Sequence, residues 1–259
     1  MNIKPRAQAA DAQDAGWKAL YRTGAVAILV AVALFRRNYG VELITFKGFG
    51  IWPGVPSEYP VRAGEWFALL QEHPFVGLNL LRLRDVVNSY LVGLFFLALG
   101  VALWKTSKST VAVALVSALV GIAVFVGTNQ AFSMLALSRQ YAAASGEAQR
   151  AAIAAAGEAL LAIDNPGVPF SGLGYYAGLL LMVVSGLILS LVMLRGAGFG
   201  RLTAWSGILS NAFMLALLLI LAVAPEAGPV LLAIPPSVSA VFRVLWYVLA
   251  AVKLWRLDR

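Results

Sequence analysis

The sequence predicts an all-α fold: a polytopic membrane helix bundle of about six transmembrane helices, with an extracytoplasmic loop cap and one short surface helix. Three observations carry that expectation. The 259 residues are 61% hydrophobic and 12% charged, with a mean hydropathy of +0.82, more apolar surface than one soluble domain can bury. The apolar residues fall in runs close to the ~20 needed to cross a bilayer. Lys and Arg collect at the ends of those runs.

Six segments approach spanning length within a single integral membrane domain covering residues 1–259. They are Trp17–Phe35, Val86–Trp104, Val111–Leu137, Leu173–Leu194, Leu202–Ala224 and Ser237–Arg256. The first is the weakest, since its unbroken apolar core runs only from Gly24 to Phe35 and Arg22 interrupts the approach. Basic residues ahead of that core and Ala31-Val32-Ala33 inside it also fit a secretory signal, but such a leader would be long and would contain Asp11 and Asp14.

Two stretches between spans are too long for simple turns. In Arg36–Asp85, Trp52, Tyr59, Trp66 and Phe67 are side chains that settle at a headgroup boundary, so a cap lying on the outer leaflet is expected. In Ser138–Gly172, Ser145 is a suitable cap, alanines and leucines propagate a helix, and Asp164-Asn165-Pro166-Gly167 stops it. Ile153, Leu160 and Ile163 share a face, which predicts a short surface helix over 145–163.

Orientation follows from basic residues in flanks and short loops. With both termini cytoplasmic, the inner segments hold Lys4, Arg6, Lys18, Arg22, Lys105, Lys108, Arg195, Arg201, Lys253, Arg256 and Arg259, eleven in all. The outer segments hold Arg36, Arg37, Lys47, Arg62, Arg82, Arg84, Arg139 and Arg150, eight, mostly in loops long enough to weigh less. The expected location is a bacterial inner membrane.

Several chemistries are excluded or thinly supported. The chain has no cysteine and one histidine, His73, so disulfides, thiolate nucleophiles and His-rich metal sites fall away; no metal and no cofactor are expected. The formal net charge of +8 suggests no nucleic acid, because the basic residues flank apolar runs instead of alternating with aromatics. GFGIWPG carries Pro53 where a dinucleotide fingerprint has its third glycine, and RGAGFGR lacks the ending of a phosphate loop. No predicted span holds an internal Asp or Glu, which argues against a proton-coupled pump.

RDVVNSYL at the start of the second span and NQAFSMLALSRQYAAASGEAQRAAIAAAGEALLA across the third span and the helix that follows it carry a resemblance to a domain-of-unknown-function family of bacterial six-helix membrane proteins. The similar positions are Asp85, Asn88, Asn129, Phe132, Met134, Ser138, Arg139 and Tyr141, within residues 75 to 220. The resemblance implies the six-helix fold and brings no activity with it.

The polar residues inside the predicted spans point to a site. Asn129 lies about 27 Å along the third span, and Gln130 is one step further. Under the same topology Asp85 and Asn88 open the second span, Tyr175 opens the fourth, and Arg243 lies about 9 Å from the outer end of the last. A polar group in hydrocarbon needs a partner, so a shared layer in the outer half of the bundle is expected. Asn88, Asn129, Gln130, Tyr175 and Arg243 are its candidate ligand-binding residues. Arg243 in that layer would favour an anionic or polar headgroup. Each also has a purely structural reading as interhelical glue. Asp85 as an N-cap, Arg139, and Asn211, about 14 Å into the fifth span from its inner end, are assigned structural roles.

Small residues Gly174, Gly178, Gly186 and Ser190, and Thr203, Gly207 and Asn211, mark close helix packing; the same stripes also fit a homo-oligomer interface. The expected function is a non-enzymatic membrane protein binding a small or lipid-like ligand in an outward-facing polar pocket, with membrane lipids as partners. The alternatives are an intramembrane lipid-modifying enzyme using Asp85, His73 or Glu72, and a structural or interaction subunit of a membrane complex.

Overall fold

The computed structural model describes residues 16–34, 56, 58–167, 172–196, 198–224 and 228–257, which form ten helices and no strand. In chain order they are α1 Lys18–Leu34, α2 Ala63–Glu72, α3 Pro74–Leu80, α4 Leu83–Leu103, α5 Lys108–Gly127, α6 Ala131–Ala143, α7 Glu147–Ile163, α8 Leu173–Arg195, α9 Arg201–Val223 and α10 Pro229–Leu257. Five stretches among the described residues are long and apolar enough to cross a membrane: Leu83–Leu103, Lys108–Ala143, Leu173–Arg195, Arg201–Val223 and Val230–Leu257. Among the described residues the regular structure is all helical and compatible with a multi-pass membrane protein. The first expected span, α1, has 17 residues and is not among the five.

Three boundaries differ from the sequence reading, each for a local reason. The second span begins at Leu83, which puts Asp85 inside the first turn instead of at the N-cap; its N–H donates to the Arg82 carbonyl at 3.0 Å. The third is interrupted: α5 stops at Gly127 and α6 restarts at Ala131, because Thr128 and Asn129 turn their side chains onto nearby backbone. The last begins at Pro229, eight residues before the expected Ser237, and runs through Pro235 and Pro236. Proline φ suits the first helical position, and membrane helices tolerate the interior losses.

By packing, the chain divides into two compact units. One takes the described residues of Met1–Leu34, Ser89–Ile122 and Leu179–Arg259; the other takes those of Phe35–Asn88 and Ala123–Gly178.

In the first unit, α10 packs against α9 and α1. Its core joins Ala25 and Ile28 of α1, Phe95 and Leu99 of α4, Leu189 of α8 and Trp246 of α10. Close approach depends on small residues. A Cβ on Gly24 would collide with that of Ala98, one on Gly207 would meet Ser190 and Trp246, and one on Gly186 would lie 2.5 Å from Asn211 Oδ1. Ser210 and Ser239 bridge α9 and α10 reciprocally, each hydroxyl donating to the other's carbonyl at 3.1 and 2.8 Å. The outward side chains include Val113, Val116, Leu219, Val241 and Val252, while Ser185, Ser190, Ser206 and Ser239 are buried. Water as the surrounding solvent would favour the opposite arrangement.

The second unit is built on Trp66, Phe67 and Leu70 of α2, Leu80 of α3, Met134 of α6 and Leu161 of α7. Trp66 and Phe67 are fully buried, so they are core residues and not the boundary aromatics expected; Trp52 lies outside the described residues. The surface helix is present as α7, with Gly146 and not Ser145 at its N-cap. Ile153 and Leu160 do pack inward, joined by Gly157 and Leu161, but Ile163 is exposed. A face spaced 153, 157, 160 and 161 follows the 3.6-residue period, and Ile163 falls off it. Gly157 lets α7 approach α2, since a Cβ there would lie 2.7 Å from both Ala63 and Phe67. The two long stretches between predicted spans thus fold with one another.

Candidate functional site

Arg82 is the centre of the polar cluster in the second unit. It follows α3 in a turn where the Leu81 N–H reaches Gly77 and the Arg82 N–H reaches Asn79. Its φ of 67° is left-handed, a conformation a residue with a Cβ adopts at a cost of about 1–3 kcal/mol. That turn directs the side chain inward, where it is 5% exposed. Nη1 pairs with Asp164 Oδ1 at 2.7 Å, Nη2 donates to the Asn165 carbonyl at 3.3 Å, and the guanidinium lies 4.6 Å over the Tyr175 ring. Tyr175 in turn packs on Phe125, with ring centroids 5.0 Å apart.

Asn129 joins the α5–α6 break to the same turn. Its Nδ2 donates to the Leu81 and Arg82 carbonyls at 3.3 and 3.4 Å, and its Oδ1 accepts the Ala131 N–H at 3.1 Å. Both ends of the amide are used, so the network itself sets its orientation. Thr128 closes the other side of the break by donating to the Val124 carbonyl at 2.8 Å, and it sits where a Cβ on Gly174 would be. Arg82, Asn129, Asp164 and Tyr175 therefore bring together the α3–α4 turn, the α5–α6 break, the end of α7 and the start of α8.

Two amide oxygens stand apart from this closure. Gln130 Oε1, next to Asn129, and Asn88 Oδ1, one turn beyond Asp85 on α4, are buried with no hydrogen-bond partner among the described residues. Two further atoms of this unit are buried without a hydrogen-bond partner among the described residues: Trp66 Nε1, in the aromatic core beside the Tyr59 ring, and Arg82 Nε, whose guanidinium is engaged through its other two nitrogens. At the N-terminus of α2, Glu65 Oε2 accepts the Val61 and Arg62 N–H groups at 2.7 and 3.3 Å, and Glu158 Oε1 accepts that of Ala63 at 2.8 Å. The Val61 N–H, then that of Arg62, hold the Glu65 carboxyl below its ordinary value.

Asn88, Asn129, Gln130, Tyr175 and Asp85 of the expected site thus lie in this unit, as does Arg139, exposed on α6. Arg243 belongs to the other unit, where Nη2 donates to Ser239 Oγ at 3.0 Å. Because α10 starts at Pro229, Arg243 stands about 21 Å from either end of its helix, not near one end. Asn211, also in that unit, is buried and returns its amide to the Gly207 carbonyl at 2.8 Å. The sequence reading assigned no site role to Arg82 or Asp164. Leu81-Arg82-Leu83, one cation between two leucines, was the available signal for the first; nothing near Asp164 marks it as more than a helix stop.

No group of three potential metal-ligating side chains occurs among the described residues, and none of their carboxylates is within hydrogen-bonding reach of the His73 ring. Comparison with family models, curated proteins and solved structures finds no match.

Proposed function

We propose that this chain is a multi-pass protein of a bacterial inner membrane, with six spans including α1 and both termini cytoplasmic, whose second unit lies outside the cytoplasm and binds a small or lipid-like ligand without transforming it. One observation carries the ligand reading: two amide oxygens of the second unit, of Asn88 and Gln130, are buried and lack a donor among the described residues. An acceptor left unsatisfied costs about 1–3 kcal/mol, which a bound donor would recover. The topology is supported independently. The stretches after the first and third predicted spans must emerge on the same membrane face, and residues from both build the second unit's core. Placement of α1 as a sixth span rests on its close approach to α4 through Gly24 and on Arg22 stacking 5.3 Å over the Trp255 ring.

The test is native mass spectrometry of the chain purified into lipid nanodiscs. A lipid or small molecule retained at defined stoichiometry, and lost in a Gln130→Leu, Asn88→Leu double variant of unchanged thermal stability, supports the reading. Absence of any retained species, or retention unaffected by the double variant, overturns it. The enzymatic alternative would require a reactive pair, and the Glu72 and His73 side chains make no hydrogen bond or ion pair with each other among the described residues.

A further inference from the structure

Resting on that reading, we infer that the ligand presents hydrogen-bond donors, as a primary ammonium or a hydroxyl, and is not recognised as an anion. The cluster's central cation is already matched: Arg82 carries the Asp164 carboxylate at 2.7 Å, the Asn165 carbonyl and the Tyr175 ring. An anionic headgroup would meet a cation whose charge Asp164 already balances. Asn129 offers nothing either, because both its amide ends are engaged. Gln130 Oε1 at the break and Asn88 Oδ1 on α4 are acceptors without a donor among the described residues, whereas Arg82 Nε, also without a hydrogen bond of its own, belongs to a guanidinium whose charge Asp164 already balances. Two carbonyl oxygens without donors are complementary to N–H or O–H groups and indifferent to a phosphate.

The same chemistry occurs in a lipid headgroup and in a free amine or polyol. Phosphatidylethanolamine and phosphatidylcholine separate donor recognition from everything else, since they share the phosphate and differ in whether the nitrogen carries N–H donors. In nanodiscs of matched acyl chains, the wild-type chain should retain phosphatidylethanolamine about tenfold or more over phosphatidylcholine, the value of one charge-assisted hydrogen bond. Gln130→Leu should remove that preference. Gln130→Glu, which keeps carbonyl-type oxygens in the same shape, should preserve it, and this guards against a variant that merely fails to fold. In phosphatidylcholine nanodiscs, added ethanolamine or glycerol bound in the wild type and not in Gln130→Leu would support the same donor chemistry with a soluble source.

Equal retention of the two lipids, with neither ethanolamine nor glycerol bound, overturns the inference. So does loss of the preference in Gln130→Glu as complete as in Gln130→Leu, since the buried amide atom would then be acting as a donor. If some lipid is still held in a Gln130- and Asn88-dependent way without headgroup preference, the binding function stands and only the donor assignment fails. If nothing is held in any arm, the binding function itself is overturned.

Discussion

Replacing Asp164 by alanine tests whether the Arg82 clamp holds the second unit together. The pair is 2.7 Å apart, with the Arg82 side chain 5% exposed and that of Asp164 15%. Deleting one partner of a buried pair leaves the other charge uncompensated and costs about 3–5 kcal/mol. Arg82 keeps the Asn165 carbonyl and the Tyr175 ring, so the lower end, about 3 kcal/mol, is expected. That is roughly a hundredfold rise in the open population. Hydrogen exchange read by mass spectrometry in nanodiscs should show peptides of α2, α6 and α7 exchanging about a hundredfold faster, with α9 and α10 unchanged. Asp164→Asn keeps an acceptor and should cost about 1–2 kcal/mol. An Arg82→Met, Asp164→Leu double variant removes both charges and should return close to wild-type exchange. An increase below about fivefold in Asp164→Ala, or an equal increase in α9 and α10, would refute the reasoning.

Three other outcomes are expected. Gly157→Leu should loosen α7 from α2 at a cost of about 1–3 kcal/mol, because the new side chain meets Ala63 and the buried Phe67 ring; undiminished protection of α7 amides would contradict this. Since the Val61 and Arg62 N–H groups depress the Glu65 pKa, the Glu65 contribution is complete above the ordinary value of 4.5 and is lost as pH falls below it through the lower folded value. Exchange at the Val61 and Arg62 amides should therefore rise toward acid relative to a Glu65→Gln control, and an identical pH profile in the control would contradict that. A cysteine placed at the exposed Arg150 should react with an impermeant thiol reagent from outside the cytoplasm in a chain with no other thiol, and labelling only from the cytoplasmic side would invert the topology.

The class of this protein was legible in the sequence because hydrocarbon imposes a length and an apolarity on any helix crossing it. That constraint is local, and so α8 and α9 begin and end within a residue of where their apolar runs do. The body of α7 was legible too, since its alanine run and the Asp164-Asn165-Pro166-Gly167 stop act through the helix's own backbone.

Position within the helices was less accessible. The start of α10 lies eight residues before the expected Ser237, because the fixed φ of Pro229 suits the first turn of a helix that then runs through Pro235 and Pro236. Trp66 and Phe67 read equally as boundary or core aromatics, and only the packing of α2 on α6 and α7 buries them. The polar cluster depended on tertiary structure almost entirely. Asn129 interrupts its span where its amide finds the Leu81 and Arg82 carbonyls, 48 and 47 residues away, and Arg82 meets Asp164 across 82 residues. Hydrogen bonds and ion pairs act over a few ångströms, so which distant residues share them is decided by how the helices come together, a property no local pattern encodes.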